Sequence, residues 1–356
     1  MNWLLLFVPI AIGLHLERPE AHTAVFVLSC LAVIPLAGWM GRATEELARR
    51  TGEGIGGLLN ATFGNAAELI IALMALRKGL YPVVKASLTG SIIGNVLLVF
   101  GAAVLAGGFK YERQRFNVTG ARAQSTLLTL AAIAMVMPAG FHALAGAGGF
   151  AREAGLSLAI AVVLLAAYGA HLMFSLVTHK QLFAGDGEGG SHPPEWSLRK
   201  ALGVLAASTA LIAWVSEILV GSVEAAAGSL GMTRVFLGVI VVAIVGNAAE
   251  HSTAVMMALR NRMEIAFGIA IGSSLQIALF VAPVLVLASR AIGPRPMDLV
   301  FTPAEVLAVF VAVLITGQIA SDGDTNWLEG AQLLAVYLIL AMVFFFLPDA
   351  PDLAGR

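Results

Sequence analysis

The pentapeptide Gly-Asn-Ala-Ala-Glu occurs twice, at 64–68 and at 246–250. Each copy carries one carboxylate, Glu68 or Glu250, into a long apolar run: GLLNATFGNAA precedes Glu68 and LIIALMAL follows it, while VVAIVGNAA precedes Glu250 and HSTAVMMAL follows. Neither side chain can easily snorkel to water from there. An ionised carboxylate at the bilayer centre costs about 2.5–3.5 kcal/mol on insertion scales, so intramembrane acids usually face a cavity, an ion or a partner. A protonated Glu bonded between helices is the bland alternative for one such residue, and a matched pair argues against it. Asn60, Gly64 and Glu68 recur every four residues, with Asn65 three before Glu68, so one helix face is polar or bare backbone. Gly64 and Gly246 are expected to weaken or break the helix and expose carbonyl oxygens, which a hard cation can use alongside carboxylates.

The next apolar run repeats the pattern with Ser87, Ser91 and Asn95, again every four residues, and the second half answers with Ser273, Ser274 and Gln276. Serines alone often serve only as hydrogen-bonding glue between membrane helices. Amides and serines facing a buried Glu are less bland, and the combined oxygens suit Ca2+, which takes six to eight oxygen ligands in flexible geometry. Zinc or copper fits worse, because there is one cysteine, Cys30, and of seven histidines only His251 lies beside a motif acid. His251 points about 100° around the helix from Glu250, so tuning the site, relaying protons or a structural hydrogen bond all remain open readings. Further acids sit in GRATEELARR (Glu45, Glu46) and VSEILVGSVEAAA (Glu217, Glu224). Glu217 and Glu224 share nearly one helix face, and Glu45 and Glu224 occupy similar places in the two halves. These three are candidates to line a cation pathway, whereas Glu46 beside its arginines reads as an ordinary solvated helix end.

These residues need a membrane scaffold to position them, and the composition supplies one. The 356 residues are 59% hydrophobic and 12% charged, with mean hydropathy +0.89, well outside the range of soluble domains. The formal net charge of −1 and the absence of a basic tract set nucleic-acid binding aside. Apolar runs at 21–41, 54–76, 83–109, 121–141, 155–178, 198–220, 233–259, 264–289, 301–321 and 328–347 read as membrane helices; the alternation of a barrel is absent. A short N-terminal segment, 1–16, lacks a basic flank and a cleavage site and reads as a first membrane helix rather than a signal peptide. The fold expected is all-α, with about eleven transmembrane helices.

Residues 181–197 form the one long polar connection, rich in Gly and Pro with Asp186, Glu188 and Glu195, and read as a flexible linker between a first five-helix unit, 21–180, and a second, 198–348. The two units repeat. Glu68 and Glu250 are 182 positions apart, and so are Gly90-Ser91 and Gly272-Ser273. An odd helix number per unit inverts the second copy, an architecture whose ion sites lie near the midplane where the halves meet. Alternate loops collect 12 of the 21 Lys and Arg on the side of the N-terminus and linker, which favours a cytoplasmic location for both.

At this point the chain resembles the calcium/proton exchangers of the cation/calcium exchanger superfamily. The resemblance is carried by GGLLNATFGNAAELI (56–70), SLTGSIIGNVLLVFG (87–101), VGNAAEHSTAV (245–255) and GIAIGSSLQIALFVAP (268–283). It implies eleven helices in two inverted repeats, with Glu68 and Glu250 as central Ca2+ ligands and proton acceptors, and Asn65, Asn247, Ser91, Ser273 and Gln276 completing or supporting the site. The family's dividing loop is often strongly acidic; here it has three acids. The compact, loop-poor chain resembles the prokaryotic members, which implies a cytoplasmic membrane.

Two carboxylates in one desolvated site resist joint ionisation when empty, because burial and like-charge repulsion act together. Ca2+ favours both ionised and displaces their protons, so competition for the pair yields exchange. The expected function is Ca2+/H+ antiport by alternating access, clearing Ca2+ from the cytosol, with Ca2+ and H+ as transported ions and no cofactor. The rivals are a Na+-driven or Mn2+ exchanger and, in a different class, a cation channel; no catalytic constellation points to an enzyme. The bilayer is the expected environment, and a homo-oligomer is compatible with the reading.

Overall fold

A computed structural model describes residues 2–145, 150–182 and 194–348; most of the linker, with Asp186 and Glu188, lies outside the described residues. Among the described residues the regular structure is helical, apart from a two-residue antiparallel pairing of β1 (Gln114–Arg115) with β2 (Asp324–Thr325). After one 3-10 turn come α1 (Phe7–Glu17), α2 (His22–Phe63) and α3 (Ala66–Arg77). They are followed by α4 (Tyr81–Gly108), α5 (Val118–Ala145) and α6 (Arg152–Thr178). Beyond the linker stand α7 (Leu198–Leu230), α8 (Arg234–Gly246), α9 (Ala248–Leu259) and α10 (Met263–Ile292), then α11 (Pro303–Ile319) and α12 (Trp327–Phe346).

Among the described residues, seven helices are long and apolar enough to cross a membrane, and eight if α8 and α9, bent by 59°, are taken as one span. The apolar runs alone suggested more, and cut at other points. Runs 21–41 and 54–76 are separated in sequence by charges, yet Arg42 to Thr51 continue α2 as helix, because charged side chains on a helix end reach water without breaking it. The axis turns between Ala48 and Gly56. A Cβ on Gly56 would lie 2.6 Å from the carbonyl oxygen of Ala48, whereas residues eight apart in a straight helix are about 12 Å apart along the axis. Glycine is therefore required for this fold-back. The arm 52–63 then leads to the real break at Gly64-Asn65.

Two helices form the centre. The apolar stretches of α4 and α10 are 83% and 72% buried, against at most 50% for the other spanning helices; a helix apolar on all sides belongs inside. Phe267 of α10 locks this core by packing edge-on against Phe100 of α4, 5.3 Å away, and stacking on Phe116, 4.9 Å away. Loops join across two opposite ends. At the end bearing the linker, β1 pairs with β2, Lys110 Nζ donates to the Leu259 carbonyl at 2.9 Å, and Arg122 donates to the Ser321 carbonyl at 3.1 Å. At the other end, Tyr81 donates to the Arg295 carbonyl at 2.5 Å and Lys78 to that of Glu217 at 3.2 Å.

Candidate cation site

Both GNAAE copies lie at helix breaks, but the asparagines make the breaks. Asn65 (φ −105°, ψ 27°) and Asn247 (φ −92°, ψ 8°) leave helical geometry, while Gly64 keeps φ −55° and ψ −45°. The expectation that the glycines break the helix is thus corrected: they make room. A Cβ on Gly64 would stand 3.1 Å from Gln276 Oε1, and one on Gly246 would stand 3.3 Å from Glu68 Oε1. Each break approaches a polar group contributed by the other half of the chain.

A network of buried amides and hydroxyls ties the halves together. Asn65 Nδ2 donates to Gln276 Oε1 at 2.6 Å, and Ser273 Oγ donates to Asn65 Oδ1 at 2.8 Å. At the 182-residue counterpart positions, Asn247 Nδ2 donates to Ser91 Oγ at 3.1 Å, and also to the Ala243 carbonyl at 2.9 Å. Asn95, wholly buried, closes the network by donating to Ser273 Oγ at 2.9 Å and Asn247 Oδ1 at 3.3 Å. Asn95 and Gln276 stand at the start of and just before π-type turns, Gly94–Val99 and Ile277–Val281. Such turns often mark functional sites, because the wide turn re-aims side chains.

Glu68 and Glu250 share a cavity of about 590 Å3. Its walls come from α2 (Arg42, Glu45), from both breaks (Asn60, Gly64, Gly246), and from one stripe of α10: Glu264, Gly268, Gly272 and Gln276, each four residues from the last. The cavity therefore runs from the carboxylates toward the end of the molecule that bears the linker. Glu250 Oε2 is buried and accepts no hydrogen bond from any described residue, and neither does Asn95 Oδ1. A buried oxygen acceptor left without a hydrogen bond suits a cation or a proton. No group of three or more His, Cys, Asp or Glu capable of holding a metal occurs among the described residues. Beyond the two carboxylates, a bound cation would draw on amide, hydroxyl, carbonyl or water oxygens.

A second cavity of about 290 Å3 lies alongside, sharing Asn60, Glu264 and Gln276 and lined further by Gln124, Tyr168 and His171. On the far side of Glu68 lies a void of about 10 Å3, bounded by Ser87 and Ser91, room for about one water.

The remaining candidates fall into place around these cavities. Ser273 faces the large cavity; Ser274 instead donates to the Ala270 carbonyl at 3.0 Å, the helix-glue role open to any serine. Ser87 donates to the Val84 carbonyl at 2.9 Å. His251 lines none of these cavities. Glu45 does line the mouth, but Glu217 pairs with Arg77 at 3.0 Å and Glu224 with Arg234 at 3.3 Å, away from the cavity. Glu46 is not a solvated helix end: it is buried at 2% exposure and bonded to Arg49 and the linker. Glu264, absent from the residues expected at the site, also lines the cavity, and its sequence signal is that it continues the every-fourth-residue series back from Gln276.

A family model described as "Sodium/calcium exchanger protein" matches residues 21–177 and 200–346. The chain is 47% identical over 364 residues to the Ca(2+)/H(+) antiporter of Aphanothece halophytica, covering 98% of this chain and 97% of that one. It is 49% identical over 340 residues to the Ca(2+)/H(+) antiporter ChaA of Bacillus subtilis, covering 94% and 95%. Among solved structures it matches that of native YfkE with a TM-score of 0.82 at 44% identity, covering 97% of this chain and all of the other. The chain therefore belongs to the Ca2+/H+ antiporter branch of the sodium/calcium exchanger family, as an all-helical, multi-pass membrane protein.

Proposed function

We propose that this protein exchanges Ca2+ for H+ across a membrane by alternating access, with Glu68 and Glu250 as the residues for which the two ions compete. The observation that carries the reading is the placing of both carboxylates in one cavity that runs toward the linker end, with Glu250 Oε2 buried and without a hydrogen bond among the described residues. Ca2+ is the transported substrate. Its oxygens would come from the two carboxylates and from the amide and hydroxyl groups of Asn65, Asn247, Ser273 and Gln276, with water filling the remainder.

The mechanism follows from charge. Ca2+ arriving in the cavity stabilises both carboxylates as anions and releases their protons; protons arriving neutralise the pair and release Ca2+. Because the two loads exclude each other, a conformational change that carries either one produces exchange. Two H+ per Ca2+ would be electroneutral.

The topology proposed is eleven crossings, with a short N-terminal helix at 1–16 and inverted units at 21–180 and 198–348 joined by the linker at 181–197. Support comes from the 182-residue register shared by the Asn65 to Ser273 and Asn247 to Ser91 hydrogen bonds. It comes also from the loops, whose hydrogen bonds cited above join only partners that this topology puts at the same end. The excess of Lys and Arg favours a cytoplasmic linker end, and the bacterial relatives support the cell membrane as the location. The cavity then opens inward, and an inward proton gradient drives Ca2+ out.

The test is Ca2+ uptake into proteoliposomes under an imposed pH gradient, with an imposed Na+ gradient in parallel. Uptake driven by pH alone is expected, and the apparent KM for Ca2+ should rise as pH falls on the side where Ca2+ binds. Uptake driven only by Na+ would replace the coupled ion, and conductance without coupling would replace the transporter by a channel.

A further inference from the structure

We infer that Glu46 and Trp196 are positioning residues, through which the docked end of the linker holds the mouth of the cation cavity open. The inference rests on the transport reading above. Glu46 lies one helical turn from Arg42 and next to Glu45, both of which line the cavity. Its buried carboxylate accepts the backbone N–H of Trp196 at 3.0 Å and a bond from Arg49 at 3.3 Å. Arg50 donates to the Trp196 carbonyl. Both backbone polar groups of a linker residue are thus held by side chains from a single stretch of α2.

The indole is fixed as firmly. It is 5% exposed, stacks on Trp39 with ring centres 5.6 Å apart, and is covered by Arg42 at 5.0 Å and Lys200 at 4.5 Å. Ala43, Leu47, Trp196 and Ala201 form a hydrophobic cluster separate from the main core, with Leu59 packed against it. Leu59 immediately precedes Asn60, a residue of the cavity wall. Residues from the end of the span His22–Thr51, from the arm that follows it and from the start of α7 therefore meet in one cluster around the indole.

Arg42 connects the two. It lines the cavity, covers the indole and bonds Glu195 at 3.0 Å, so a change at the mouth bears directly on the seat of the linker end. A buried carboxylate spent on a loop backbone is a poor choice for permanent packing, since apolar groups would serve at least as well. It is a good choice for a contact that must be both specific and releasable. Closing the mouth should require the linker end to leave its seat.

The experiment uses the full-length protein with Cys30 replaced by alanine and a reporter, Thr253→Cys, on the cavity wall. A membrane-impermeant maleimide is applied from the linker side. Glu46→Ala, through the loss of a charge-assisted hydrogen bond, and Trp196→Ala, through the loss of the indole stack, are each expected to slow labelling by roughly tenfold, while Trp196→Phe, which keeps the stack, labels at close to the parent rate. Unchanged labelling in both alanine variants would overturn the inference. Should they fail to fold, Arg42→Cys with Glu195→Cys provides a second route: oxidation should stop exchange with the cavity still open to reagent, and reductant should restore it. Full-rate exchange with the disulfide formed would overturn the proposal. Because labelling reports access whatever ion is carried, a labelling shift without Ca2+/H+ exchange would retain the positioning role and reject the transport reading.

Discussion

The two ends of this molecule present the same interface in opposite conditions. At the end away from the linker, α8 lies directly on α4: a Cβ on Gly90 would collide with the backbone of Val239. At the linker end, Gly272 of α10 holds the same place in the 182-residue register, and a Cβ there would meet nothing within 4 Å, because the cavity lies between α10 and the arm 52–63. Closely similar local sequence is thus sealed at one end and open at the other. The difference teaches that access is a matter of which arm is docked, and that the glycines exist to let backbones meet.

The largest expected effects test the centre shared by both ends. Glu68→Gln and Glu250→Gln are each expected to reduce pH-driven Ca2+ uptake by more than a hundredfold while the protein remains folded by thermal melting; normal exchange in either would remove the competing carboxylates from the account. Next, the paired glycines sharpen the comparison. Gly90→Val should destabilise the protein by about 1–3 kcal/mol, the usual cost of overpacking, whereas Gly272→Val should change melting by no more than about 0.5 kcal/mol. Gly272→Val should nonetheless slow transport, since the valine obstructs docking of the arm 52–63 when the linker end closes. Equal melting costs at the two positions would break the comparison.

A smaller effect is expected at Gln276. Its loss in Gln276→Leu leaves the Asn65 amide without its acceptor, costing about 1–3 kcal/mol for a buried donor, and should raise the KM for Ca2+ more than it lowers kcat. The smallest belongs to Arg77→Ala. The Arg77 to Glu217 pair is about half exposed on both sides, so its removal should cost about 0–1 kcal/mol, less in high salt, and leave exchange intact. A large loss of exchange would return Glu217 to the ion pathway.

Much of the site was legible in the linear chain because polarity inside an apolar run is costly wherever it occurs. GNAAE marked both helix breaks, and the four-residue spacing of Ser87, Ser91 and Asn95 marked a face that the structure does turn toward Glu68 and its neighbours. The same rule extended back from Gln276 would have found Glu264. Other residues carried no such signal. Glu46 sits among arginines as a solvated acid would, and only the return of the linker 150 residues later buries it against Trp196. Glu217 and Glu224 share a helix face, but their partners Arg77 and Arg234 lie on other helices.

What the sequence determined by itself is therefore what depends on composition and near neighbours: a membrane protein, helical, doubled at a register of 182, with a carboxylate at each break. What only the tertiary structure decided is which end is open, which asparagine meets which serine, and that the motif glycines give room rather than bend. The reason is physical. Near-equal local sequences have near-equal local preferences, so a difference between the two halves can arise only from contacts between residues far apart in the chain.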